Sequence, residues 1–87
     1  MTQTPSVGCI VHYTLSAGDV TTIDNQVPRR DRNPVSEGQV YPAQIVAVWS
    51  AEGCVNLVVQ LDGPFQYWAT SRSLGDQPGT WSWPPRV

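Results

Sequence analysis

The sequence predicts an all-β protein, a small five-stranded SH3-like antiparallel barrel with a long loop after its first strand. Apolar and polar residues alternate with a period of two in several short segments, which is the pattern of half-buried strands. Glycine-containing turns separate these segments, and the 8 prolines and 7 glycines are spread along the chain, so no window keeps a helical period. With 87 residues, the chain is predicted to form one domain over residues 1–87.

The first predicted strand covers residues 6–15, where Cys9, Val11 and Tyr13 fall on one face. A polar, turn-rich stretch follows over residues 16–40 and is predicted to be a loop. Loops of this length are uncommon in compact domains and are usually functional or disordered. No helix longer than about two turns is expected anywhere in the chain.

Three strands joined by tight turns are predicted next, and a short fifth strand follows them; these strands cover residues 41–49, 54–61, 65–73 and 81–83. Turns of this kind produce an antiparallel meander. In the second strand, Trp49 is in phase with Ile45 and Ala47 and is predicted to face the core. Five short strands also suit an OB-like barrel, but that fold often carries a helix between its third and fourth strands, for which the sequence has no room.

The net charge of −2 argues against a general affinity for nucleic acid, since such binding needs a basic surface. The first residues show neither the basic nor the apolar segment of a signal peptide, and no stretch approaches about 18 apolar residues. A cytoplasmic protein without a membrane partner is therefore expected. Cys9 and Cys54 each lie in an apolar run, and buried free thiols are expected rather than a disulfide.

The strongest polar signal is the cluster of Arg29, Arg30 and Arg32 in the predicted loop. Guanidinium groups make bidentate hydrogen bonds to phosphates and carboxylates, so these three side chains are candidate ligand contacts. The alternative is a solvated loop in which Asp31 and Glu37 neutralise the arginines.

His12 is the only histidine, and it lies beside Tyr13 in the first strand. Both residues are candidates for ligand hydrogen bonding or stacking, and an ordinary strand histidine is the alternative. A metal site is not predicted, because there is no second histidine and the cysteines lack ligand spacing. The chain also lacks a phosphate-binding loop, a dinucleotide-binding fingerprint and a nucleophile elbow. Neither a cofactor nor an enzymatic activity is predicted.

Three tryptophans are candidate ligand contacts. Trp68 is out of phase with its strand neighbours and is predicted to face outward. Trp81 and Trp83 are two residues apart, so in a strand they would stand side by side as one flat aromatic surface. This pair could close the core, form a subunit interface or stack on a ligand, and the sequence leaves all three open.

Four short motifs follow one another along the chain: Val11-His12-Tyr13, Pro42-Ala43-Gln44-Ile45-Val46, Val55-Asn56-Leu57 and Gly79-Thr80-Trp81-Ser82-Trp83-Pro84. In this order they resemble a group of short proteins encoded by tailed bacteriophages, which end in a G-T-W-H-W-P motif and mostly have no assigned role. The resemblance covers nearly the whole chain apart from residues 16–40. The group usually has histidine where this chain has Ser82, so a ligand or metal role at that position is not carried over.

The resemblance implies a phage protein in the host cytoplasm. Small β-rich phage proteins include oligomeric sponges, which sequester nucleotide signals of bacterial immunity without changing them. By this analogy, the chain is predicted to bind cyclic ADP-ribose, an ADP-ribose conjugate or a cyclic nucleotide, with arginines on the phosphates and aromatic rings on the base.

A homo-oligomer is also predicted, because tryptophan is too abundant for so small a core to bury all of it. The alternative function is a phage structural or protein-interaction module that uses surface aromatics. Arginines and outward tryptophans converging on one concave pocket would favour a nucleotide, whereas a flat strip would favour a protein.

Overall fold

The structure of the protein, a computed structural model, describes residues 3–85 without the side chain of residue 31. Within these residues it contains five strands, one α-helix and one short 3-10 turn. In chain order they are β1 (Ile10–Thr14), α1 (Ala17–Gln26), the 3-10 turn (Arg29–Asp31), β2 (Val40–Val48), β3 (Val55–Gln60), β4 (Gln66–Arg72) and β5 (Trp81–Ser82). The protein is therefore a small, mostly-β domain.

The five strands form one antiparallel sheet in the order β4-β3-β2-β1-β5. This confirms the five predicted strands and the meander of β2, β3 and β4. The sheet is not closed, although an isolated bridge between Leu74 and Trp81 joins the segment after β4 to β5. The sheet does curve, because Tyr13 of β1 and Tyr67 of β4 reach the same carboxylate, that of Asp19.

The predicted all-β class holds in part, since the domain is mostly β, but the predicted loop over residues 16–40 is wrong, because this stretch contains α1 and the 3-10 turn. The helix has 10 residues, which is nearly three turns, so the expected limit of two turns is also wrong. It begins with a capping box. Ser16 Oγ accepts a hydrogen bond from the backbone N–H of Asp19 at 3.1 Å, and the Asp19 carboxylate accepts one from the Ser16 N–H at 2.8 Å.

The core lies on the inner face of the curved sheet. Val55, Leu57 and Val59 of β3 are buried, as the alternation of this strand predicts. Trp81 is the largest of the fully buried side chains, and its indole Nε1 donates a hydrogen bond of 2.8 Å to the Gly53 carbonyl. Gly53 has a φ of +115°, and a Cβ there would lie 2.9 Å from that of Leu74, so the turn after β2 requires glycine. The hairpin turn is thereby packed against the last strand.

The alternation predicted for β2 breaks at a β-bulge. The pairing register shifts between Ile45 and Ala47, which makes Val46 an extra residue in this strand. Val48 then packs against the core, and Trp49 is 65% exposed. The prediction that Trp49 faces the core is wrong for this reason.

Candidate functional site

The outer face of the sheet is the side of β2, β3 and β4 that points away from the core. Its residues alternate with inward residues along each strand. They are Val40, Pro42, Gln44, Val46, Ala47, Asn56, Val58, Gln60, Gln66, Trp68 and Thr70. None of these side chains is ionisable, so the outer face offers neither a cation for a phosphate nor a carboxylate for a metal ion.

Trp68 lies on the outer face at the middle of β4. Val58 of β3 pairs with Trp68 on one side and with Gln44 on the other, so the three residues form a row across the sheet. Directly opposed residues in antiparallel strands have Cβ atoms about 4.5–5.5 Å apart. The Trp68 side chain remains 64% exposed, which confirms its predicted outward position.

Trp49 is the second exposed indole on the outer face. Its Nε1 donates a hydrogen bond of 2.9 Å to Oδ1 of Asn56, a residue that is 8% exposed. The same oxygen accepts the backbone N–H of Ser71 at 2.8 Å, where β4 has a register shift and Ser71 adopts a φ of 55°. Asn56 therefore holds both the Trp49 ring and the segment of β4 at which the pairing register shifts. Asn56 and Val58 are about 7 Å apart along one face of β3, so the two indoles belong to one patch.

This patch is suited to contact with an uncharged surface. Indole rings bury large apolar areas, and the amide side chains around them both donate and accept hydrogen bonds. Because Trp49 is already held by Asn56, its ring has less conformational freedom to lose when a partner binds. The outer face therefore has the chemistry of a protein-binding surface.

A buried polar cluster lies on the opposite side of the sheet and joins α1 to two strands. Asp19 Oδ2 accepts hydrogen bonds from the Tyr13 hydroxyl at 2.5 Å and from the Ser16 N–H. Asp19 Oδ1 accepts from the Tyr67 hydroxyl at 2.6 Å and from Nη2 of Arg72 at 2.9 Å. The Asp19 side chain is 1% exposed, so four donors, one of them the Arg72 guanidinium, compensate a buried carboxylate.

The cluster shifts the pKa values of its members. Burial pushes the pKa of Asp19 upward, but hydrogen bonds from Tyr13, Tyr67 and Ser16 outweigh it and hold that pKa below its ordinary value. Burial, followed by the hydrogen bond to Asp19, raises the pKa of both tyrosines. The cluster therefore holds an ionised aspartate with neutral tyrosines, and its groups are engaged with one another.

Arg29 and Arg32 lie at a small pocket after α1. Asp24 accepts a hydrogen bond of 2.6 Å from Nη2 of Arg32 and one of 3.2 Å from Nη2 of Arg29. Both contacts lower the pKa of Asp24, and the hydrogen bond from Arg32 has the larger effect. The pocket has a volume of about 110 Å³ and is also lined by Pro34 and Val35.

The predicted phosphate contacts differ in accessibility. The Arg32 side chain is only 1% exposed and is engaged by Asp24, whereas the Arg29 side chain is 79% exposed. Arg30 is an exposed residue of the 3-10 turn. Of these three arginines, Arg29 and Arg32 share one pocket, and its lining contains no aromatic residue.

The remaining predicted site residues lie around β1 and β5. Tyr13 and Trp81 pair across these strands and are fully buried. The Trp81 and Trp83 rings meet edge to face, with centroids 5.1 Å apart and planes at 84°. The pair therefore does not form the predicted flat surface, and Trp83 packs against the core. His12 is half-buried and lies directly opposite Ser82.

The structure thus places the predicted residues in separate regions. Trp68 is on the outer face, Arg29 and Arg32 are at the pocket, and Tyr13 and Trp81 are in the core. Sequence reasoning missed Trp49, Asn56 and Asp19. The Ser16–Asp19 spacing carried a capping-box signal that could have revealed Asp19 and the helix. The position of Trp49 depends on a bulge that leaves no such signal.

In residues 3–85, no three side chains of histidine, cysteine, aspartate or glutamate lie close enough to hold a metal ion. Cys9 and Cys54 are free and half-buried. No helix in the described part of the chain combines the length and apolar character needed to span a bilayer. Comparisons with protein-family models, curated proteins and solved structures found no match to this chain.

Proposed function

We propose that this protein is a non-catalytic interaction module and that the outer face is its working surface. The observation that carries the proposal is the pair Trp49 and Trp68, each about two-thirds exposed on a sheet face without charges. Exposed aromatic patches of this kind mark interaction sites, and tryptophan is enriched among the residues that dominate binding energy.

The separation of arginines from exposed tryptophans supports a protein partner over a nucleotide. To bind a nucleotide, one site must offer a ring that stacks on the base and a cation that contacts the phosphate. The outer face has rings without cations, and the pocket at Arg29 and Arg32 has cations without rings. An uncharged sheet face fits an extended or flat protein surface better than a nucleotide.

The proposal extends to the fold, which we infer to be an SH3-like barrel. The strand order, the long connection after β1 and the curvature that brings Tyr13 and Tyr67 to Asp19 support it. The bridge between Leu74 and Trp81 begins to join the two ends of the sheet. A solution structure should show further backbone contacts between the β4 segment and β5, and widely separated edges would contradict a barrel.

The working surface can be tested with peptides selected from a random library for binding to the intact chain. Binding of each peptide is then measured by fluorescence polarisation to the wild type, Trp49→Ala, Trp68→Ala and the control Val40→Ala. Val40 is 53% exposed and also lies on the outer face, but at the far end of β2, opposite Thr14 and away from both indoles. We expect either tryptophan change to weaken binding about tenfold or more. Peptides that bind all variants equally would place the working surface elsewhere.

Nucleotide sequestration is the second candidate, and the pocket of Arg29 and Arg32 is the observation that favours it. With the phage resemblance, it gives a host-cytoplasmic anti-defence protein that binds an immune signal without altering it. The pocket volume of about 110 Å³ is well below the roughly 300–1,000 Å³ of ligand sites. A nucleotide would therefore need additional walls, such as those a second copy of the chain would supply.

Titration calorimetry with cyclic ADP-ribose isomers, histidine-linked ADP-ribose and cyclic dinucleotides tests this second candidate. Binding tighter than about 10 µM that Arg29→Ala weakens would support it. Absence of binding would eliminate it, and recovery of a chemically altered ligand would point to an enzyme. Neither result depends on Trp49, so the two candidate functions are tested separately.

A further inference from the structure

The outer face contains the two most exposed indoles of the described chain. This surface can complement an identical copy of itself, which suggests what covers it. We propose that a second copy of this chain packs against this face, so that two outer faces meet around a two-fold axis. The inference rests on the proposed function, because it names the partner of the same surface.

The exposed area is the first argument. Trp49 is 65% exposed and Trp68 is 64% exposed, so the two indoles together leave on the order of 300 Å² uncovered. Val46, which is 41% exposed, and the aliphatic parts of the flanking glutamines enlarge this patch. The total approaches the roughly 500 Å² per copy, or about 1,000 Å² in all, that a biological interface should clear. A patch of this size matches the largest apolar patch of a typical monomer, about 300–600 Å², which often has a function.

The chemistry of the surface is the second argument. A two-fold interface brings one patch against an identical patch, so the surface must complement itself. The outer face meets this condition, because indole rings pack against indole rings and each amide both donates and accepts hydrogen bonds. Gln44, Gln60 and Gln66 provide these amides around Trp68. No like charges are brought together, and no ion is buried without a partner.

The hydrogen bond from Trp49 to Asn56 is the third argument. It holds one of the two indoles before association, which lowers the entropy lost when two copies meet. A strongly charged partner would instead face a surface with no ionisable side chain to pair with. A second copy therefore fits the outer face better than an acidic or basic protein does.

Sedimentation equilibrium of the full chain from about 1 µM to about 500 µM tests the proposal. We expect the mass to rise with concentration from 9.6 kDa towards twice that value. Trp68→Lys and Trp49→Lys should each weaken association at least tenfold, because each buries an unpaired charge at the interface. Asn25→Lys is the control, since it adds the same charge at an exposed residue of α1, on the opposite side of the sheet from the outer face.

Acrylamide quenching of tryptophan fluorescence provides a second readout. Quenching should fall as the wild type associates, and it should not change with concentration in Trp68→Lys. Far-ultraviolet circular dichroism verifies that each variant is folded. A chain that stays at monomer mass over the whole range, or a dimer that Trp68→Lys and Asn25→Lys weaken equally, would overturn the proposal.

The peptide-selection experiment distinguishes the failure of this inference from failure of the proposed function. If the chain is monomeric and selected peptides still depend on Trp49 and Trp68, only self-association is wrong. If the chain is monomeric and the peptides bind elsewhere, the outer face is not a working surface and both proposals are wrong. If the chain dimerises through the outer face, peptides that depend on Trp68 should dissociate the dimer.

Discussion

The four tryptophans form two pairs that use the same side chain in opposite ways. Trp81 and Trp83 lie inward, where one ring is fully buried and the other packs against it edge to face. Trp49 and Trp68 lie outward, and each is about two-thirds exposed. One indole N–H in each pair has a protein acceptor, a backbone carbonyl for Trp81 and a side-chain amide for Trp49.

The difference between the pairs lies in what the hydrogen bond accomplishes. For Trp81 it satisfies a buried donor, which would otherwise destabilise the fold. For Trp49 it orients a ring whose surface remains uncovered. Changes to the inward pair should therefore alter the free energy of unfolding, and changes to the outward pair should alter association.

The largest effect is expected for Trp81→Ala. The change removes the largest fully buried side chain and leaves a cavity, which should lower the free energy of unfolding by about 3–5 kcal/mol. Urea unfolding followed by circular dichroism measures this loss. Trp81→Phe keeps part of the ring volume and should lose less. Equal stability of Trp81→Ala and the wild type would contradict the burial of this residue.

A loss nearly as large is expected for Asp19→Asn on the inner side. The amide leaves Arg72 without its carboxylate partner and cannot accept all four hydrogen bonds, which should cost about 3 kcal/mol. Urea unfolding at neutral pH measures the effect. Asp76→Asn is the control, because Asp76 is an exposed residue of the loop between β4 and β5 and its replacement should have a much smaller effect. A comparable loss in both variants would show that the buried cluster is not special.

Acidification should also weaken the inner side. Folding lowers the pKa of Asp19 below its ordinary value of 3.8. The stability that the ionised Asp19 provides is therefore fully present above pH 3.8, and it is lost as the pH falls through the lowered pKa. Urea unfolding between neutral pH and about pH 2 follows the loss. In Asp19→Asn this part of the acid dependence should disappear. An unchanged acid profile in that variant would assign the loss to other carboxylates.

A moderate effect is expected for Asn56→Ala. Asn56 is a buried residue whose amide holds the exposed ring of Trp49. The change removes the acceptor of the Ser71 N–H and the Trp49 N–H, and should cost about 1–2 kcal/mol. It should also increase the mobility of the Trp49 ring, which fluorescence anisotropy detects. Asn25→Ala, an exposed asparagine of α1, is the control. Unchanged anisotropy would show that Asn56 does not orient the ring.

The smallest effect on stability is expected for Trp68→Ala. Its side chain is mostly exposed, so the free energy of unfolding should change by less than about 0.5 kcal/mol at concentrations where the chain is monomeric. Association should weaken at the same time. A stability loss as large as that of Trp81→Ala would remove the distinction between the two pairs.

The strands were predictable because their pattern is local. A period of two with inward Val55, Leu57 and Val59 fixes the faces of β3 without any knowledge of its neighbours. The helix also had a local signal in Ser16 and Asp19, but its polar sequence and the glycine at its second position obscured the apolar stripe. Recognising the capping box would have corrected this error.

The candidate site was less predictable, because it depends on register and not on pattern. Trp49 faces outward because Val46 is an extra residue in β2, and a bulge is determined by the pairing of two strands. Arg32 is buried because Asp24 of α1 meets it after the chain turns, and the helix was not predicted. Residue chemistry alone did not distinguish a buried arginine from an exposed one.

The pairing of β1 with β5 has a kinetic consequence. Tyr13 and Trp81 are neighbours in the sheet but lie near opposite ends of the described chain, so their contact closes a very long loop. Such non-local contacts slow folding, and domains dominated by them fold in roughly milliseconds to seconds. Until β5 docks, the turn at Gly53 lacks the indole that packs against it, and β1 presents an unpaired edge. The meander of β2, β3 and β4 should therefore form first, and the docking of the last strand should limit the rate at which the protein becomes native.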